Sequence, residues 1–96
     1  MFVNVPEKMK AIRYSVYGGP EVLRLEEVAV PVPGEGEVLV RVHAAGVNPG
    51  DWQIRSGLAG GRFGLPYIPG WDVAGIVAAG GEAAGFRPGD AVYGMT

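Results

Sequence analysis

The sequence contains no cysteine. No disulfide framework, thiolate nucleophile or cysteine-bound zinc can be built from it. Histidine occurs once, at His43. A single imidazole without other soft ligands makes no metal site, and no Ser–His–Asp arrangement can be assembled around it. Charge is sparse: 8 Lys and Arg against 10 Asp and Glu leave a formal net charge of −2, so the basic footprint of a nucleic-acid binder is missing. No apolar run approaches the ~20 residues that cross a bilayer as a helix. The opening MFVNVPEK lacks the charged and apolar regions of a secretory signal. These absences predict a cytoplasmic domain that engages neither nucleic acid nor membrane.

Glycine and proline are plentiful, 17 and 8 of 96 residues, in a chain that is 48% hydrophobic. That combination argues against disorder and for many turns and short strands. The length allows one domain at most. A compact monomer of this mass exposes about 5,200 Å², and its lone stability would be marginal.

Residues 1–8 read as an extension and 9–96 as a single domain. The spacing predicts strands over 9–16, 22–28, 38–45, 72–79 and from Ala91. In the second of these, Leu23 and Leu25 would share one face, Arg24 and Glu26 the other; in the third, Val38, Val40 and Val42 would share a face. Between the third and fourth lies a short helix with defined ends. Asn48 suits its N-cap and Pro49 its first position, Asp51 complements the dipole, and Gly57 suits a left-handed terminus. Arg87-Pro88-Gly89-Asp90 has the order of a type II turn. The tally is mainly β with one short helix, a partly open barrel. A strand beginning just before Thr96 suggests an incomplete domain.

Chemistry-bearing residues are few. Asp51, Asp72 and Asp90 each follow a turn signal and have capping or turn-stabilising readings. His43 reads as structural on its strand. Asn48 places an amide at a helix N-terminus, where free N–H groups can meet carbonyl or anionic groups; a self-capped surface helix explains it more plainly. Phe63, Tyr67 and Trp71 surround the glycine-rich stretch 58–66 and could cover a flat apolar ligand, or simply pack as core. No G-x-G-x-x-G opens a helix after a strand.

The runs MKAIRYSVYGGPEVLRLEE, GEVLVRVHAAGVNPGDWQIRSG, LPYIPGWDVAGIV and GFRPGDAVYG closely resemble the N-terminal catalytic domain of the zinc-independent quinone oxidoreductases, in the medium-chain dehydrogenase/reductase superfamily. The resemblance covers Met9 to Gly94 and implies a GroES-like, partly open β-barrel. It implies a second, Rossmann-type domain binding NADPH, which this chain does not contain, and a homodimeric parent protein. It also implies hydride transfer from NADPH to a quinone or α,β-unsaturated carbonyl; alone, this segment would be inactive.

By the same resemblance, zinc-dependent relatives carry cysteine where Asn48 stands and histidine where Trp71 stands, so no metal is expected here. Asn48 would sit near the nicotinamide and the substrate carbonyl as the catalytic residue, with Pro49 and Gln53 also touching the cofactor. Trp52, Gln53, Tyr67 and Trp71 would line the substrate pocket. Gln53 departs from the tyrosine frequent in the quinone branch and cannot act as an acid near neutral pH. The alternative reading is a free-standing GroES-like interaction module of the co-chaperonin type.

Overall fold

The computed structural model describes residues 5–95. In chain order the elements are β1 (Lys8–Arg13), β2 (Arg24–Ala29), β3 (Val38–Ala45), α1 (Pro49–Arg55), β4 (Asp72–Gly80) and β5 (Ala91–Met95), with 3-10 turns at Pro20–Val22 and Glu82–Ala84. The strands form two open antiparallel sheets, β1-β2 and β3-β4-β5. The mainly β, GroES-like architecture expected from the sequence is what forms, with the sheets left unclosed.

The β1-β2 ribbon pairs Met9 with Val28, Ala11 with Glu26 and Ile12 with Leu25. Its covered face carries Met9, Ala11 and Val28 together with Arg13 and Glu26. Leu25 is 65% exposed and its cross-strand partner Ile12 45% exposed, whereas Glu26 is half-buried and accepts a hydrogen bond from Arg13 Nε at 2.9 Å. Pairing that charge across the ribbon lets Glu26 sit half-buried beside Met9, Ala11 and Val28, while Ile12 and Leu25 are turned outward. The residues before Arg24 form a 3-10 turn instead of continuing the strand, because Pro20 withholds an N–H and favours a helical start.

In the three-stranded sheet β4 is central. Small residues let its neighbours approach: Gly75 and Val77 are buried. Register shifts at Leu39/Val40 and Val42/Ala44 leave Ala78 of β4 and His43 of β3 out of the pairing, and Val42, just before the second, is 55% exposed. A bulge inserts an unpaired residue and re-aims every side chain beyond it. The turn into β5 forms as its residues require: Asp90 N–H donates to Arg87 O at 3.0 Å, Gly89 takes a φ of 97°, and the Asp90 carboxylate accepts the Arg87 N–H at 2.9 Å.

Small apolar centres hold the molecule. One is Val77, within the sheet; Tyr14 and, on α1, Ile54 are also buried. Tyr14, just after β1, bridges to Tyr67 through paired backbone bonds of 3.1 and 2.9 Å. This bridge and the bond from Gly18 N–H to Arg55 O, 2.8 Å, tie the two-stranded ribbon to the segment carrying α1.

Candidate active site

The helix α1 is short, so its ends decide its placement. Asn48 has extended backbone (φ −124°, ψ 157°) and Pro49 opens the first turn. The Asp51 carboxylate accepts the Asn48 N–H at 2.9 Å. The Asn48 side chain faces the Asp51 N–H in a capping-box arrangement, and that N–H bonds the Asn48 backbone carbonyl at 2.9 Å. At the far end Gly57 N–H donates to Ile54 O (3.0 Å) and Leu58 N–H to Gln53 O (3.2 Å), the paired bonds of a Schellman terminus. Gly57 has φ +96° and stands over the Tyr17 ring. Both ends follow the sequence expectation, but the Asn48 amide does more than cap.

Asn48 Nδ2 donates to Asp72 Oδ2 at 3.1 Å. The other Asp72 oxygen accepts the Gly46 N–H at 2.5 Å. One carboxylate therefore joins the first residue of β4 to the end of β3 and the head of α1. Gly46 makes this possible, since a Cβ there would stand 2.8 Å from Asp72 Oδ2 and 2.9 Å from its carboxyl carbon. Trp71 lies along the first turn: a Cβ on Gly50 would be 3.3 Å from its Nε1.

From Trp71 a row of rings leads back to the core. Phe63 meets Trp71 edge-on, with centroids 5.9 Å apart. Phe63 and Tyr67 are 5.8 Å apart and Tyr67 and Tyr14 5.7 Å. The predicted aromatic cluster thus forms, with Tyr14 as an unforeseen fourth member. Burial pushes the Tyr14 hydroxyl above its usual 10.0, with smaller contributions from Tyr67 and Tyr17.

The structure brings Asn48, Pro49 and Trp71 together at the head of α1 and sets Tyr67 behind them. Trp52, 50% exposed, and Gln53 lie on the exposed surface of the helix. An open apolar groove of about 520 Å³ runs past Ala44, Gly46, Asp72, Tyr93 and Met95; none of the six predicted site residues lines it, and it meets the site at Asp72. His43 is exposed on β3. Among the described residues no three His, Asp or Glu side chains converge as a metal site would require. Asp72 and Gly46 are the site members that sequence reasoning missed. The signal available was an acid at a strand start and a glycine at a strand end, which turn chemistry explained equally well.

Open sheets, a capped two-turn helix and a glycine-rich run folding back onto its head define the class. The chain belongs to the alcohol dehydrogenase GroES-like domain family, whose sequence profile matches residues 34–96. Its relatives include quinone oxidoreductases: it is 54% identical over 87 residues to that of Lama guanicoe, covering 88% of this chain and 26% of the other. A 2-methylene-furan-3-one reductase of Solanum lycopersicum is 43% identical over 95 residues, 96% of this chain and 24% of the other. The solved Escherichia coli quinone oxidoreductase complexed with NADPH matches with a TM-score of 0.81 at 37% identity, over 88% of this chain and 26% of that one. The chain spans about a quarter of the length of these curated relatives.

Proposed function

We propose that the chain is the front part of the catalytic domain of an NADPH-dependent, zinc-free oxidoreductase that reduces a quinone or an α,β-unsaturated carbonyl. The observation that carries this reading is the Asn48 amide, half-buried at the head of α1 and held by Asp72. The similarity to quinone oxidoreductases and to a furanone reductase supports the two substrate classes. The coverage of about a quarter of each relative supports a larger parent protein, for which a cytoplasmic homodimer is the proposed form.

The residues present fit one edge of a nicotinamide. The Asn48 amide oxygen and the solvent-facing Gln53 amide can accept from a carboxamide, Gln53 can also donate to it, and Pro49 brings no N–H to the helix head. The phosphates would be held by a nucleotide-binding domain elsewhere in the parent protein. NADPH, when bound, supplies the hydride. The chain's own contribution is position and electrostatics. An amide nitrogen carries two hydrogens; one goes to Asp72, and the second donates to the substrate oxygen as that oxygen gains negative charge. Gln53 has no ionisable proton near neutral pH, so the proton completing the reduction comes from water. Trp52, Tyr67 and Trp71 offer flat apolar faces to a quinone ring. Neither an amide committed to a carboxylate nor an indole is a zinc ligand.

The test is the full-length natural protein. Its intact mass is expected to be several-fold above 10.0 kDa, and it is expected to oxidise NADPH with members of a quinone and enone panel. Asn48→Ala should lower kcat by about 10²-fold, as loss of one oxyanion donor does, with the NADPH Kd nearly unchanged. A 10 kDa natural product, or no oxidation with any panel member, overturns the reading.

A further inference from the structure

We propose that Asp72 is a positioning residue that fixes which end of the Asn48 amide faces the reacting oxygen; this rests on the role given to Asn48 above. A side-chain amide has two ends of nearly equal size and opposite hydrogen-bonding sense. Turned one way it offers a donor to the oxygen gaining charge, turned the other way an acceptor that repels it. Within α1 the side chain faces the Asp51 N–H without a full cap hydrogen bond, which favours one end only weakly. Asp72 selects between them, because an ionised carboxylate only accepts. The flipped amide would set Asn48 Oδ1 against Asp72 Oδ2, where the present orientation has a 3.1 Å bond.

Asp72 is itself held in place. It is the first residue of β4, and its neighbour Val73 pairs with Ala45 at the end of β3, so the sheet register sets the carboxylate opposite Gly46. Its second oxygen is occupied by the Gly46 N–H. The missing Cβ of Gly46 gives the carboxylate its room. The orientation of the amide is thus set from the central strand of the sheet, through the Asp72 side chain.

Asp72→Asn is nearly isosteric, yet it leaves one acceptor oxygen for two donors. Either the Gly46 N–H or the Asn48 amide must then face an NH2 group. In the full-length enzyme Asp72→Asn is expected to lower kcat by about 10²-fold, the cost of misplacing a reacting partner, with the KM for NADPH little changed. In an Asn48→Ala background the same substitution should cost nothing further, since a residue acting through another shows full non-additivity. Additive losses, or an Asp72→Asn enzyme as fast as the native one, overturn the proposal while leaving Asn48 its role. Native turnover in Asn48→Ala overturns that role and this proposal together. A measurement on the native protein covers the case in which Asp72→Asn fails to fold: with asparagine 15N labelling, one Asn48 Nδ2 proton is expected to be protected from solvent exchange. Two protons exchanging at the rate of a free asparagine side chain overturn the proposal.

Discussion

Tyr14 shows how one residue joins the core to the site. It is 1% exposed, its ring packs on Tyr67, and its backbone bridges the same residue. Its hydroxyl is buried without a protein hydrogen-bond partner among the described residues. The ring therefore stabilises and the hydroxyl does not. Tyr14→Phe is expected to change unfolding free energy by less than about 1 kcal/mol, and Tyr14→Ala to cost about 3–5 kcal/mol, both read from urea melts. Burial raises its pKa above 10.0, so the native state favours the neutral phenol. That contribution is present below pH 10.0 and is lost as pH rises through the higher native value. In a titration followed by NMR, the Tyr14 ring should ionise above 10.0. The sequence placed Tyr14 in an apolar run, but its burial depends on Tyr67, a partner that strand spacing does not indicate.

At the scale of elements, local signals were read well where the chain could satisfy them locally. The β3 limits and the helix ends followed from spacing, proline, aspartate and glycine. Gly57 tests this: its φ of +96° disfavours any Cβ, and Gly57→Ala should cost about 1 kcal/mol in thermal or urea melts, although Tyr17 leaves ordinary van der Waals room at 3.6 Å. The faces of β2 were not legible, because they are decided by Arg13 across the ribbon. The hydrogen bond from Arg13 holds the Glu26 carboxyl below its ordinary 4.5. The sign follows: the link stabilises above pH 4.5 and is lost as pH falls through the lowered native value. Glu26→Gln should melt slightly below the native protein at neutral pH, with the gap closing in acid. A gap that persists there would show that the ion pair is not its source.

At the scale of the whole molecule the surface is larger than its mass calls for. The chain exposes 6940 Å² and extends 42 × 23 × 23 Å, against about 5,200 Å² for a compact monomer. Leu25 and Ile12 on the ribbon, Trp52 on α1, and Tyr93 and Met95 on β5 all stand open. Exposed apolar side chains favour association, and among the described residues β5 lies at a sheet edge. The isolated 96-residue chain should therefore associate as its concentration rises, measured by sedimentation velocity. A sedimentation coefficient constant across a hundredfold range of concentration would show that this surface is not adhesive.

The sequence by itself determined the class of fold, the places where the chain turns and the helix from Asn48 to Gly57. Each of these rests on backbone preferences and side-chain patterning over a few neighbouring residues. Only the tertiary structure decided that Asp72 holds the Asn48 amide, that Gly46 gives that carboxylate room, that Tyr14 closes the aromatic row and that Leu25 faces outward. These depend on sheet register and on contacts between residues far apart in the chain, and a carboxylate at a strand start carries no local mark of the partner that register will bring to it.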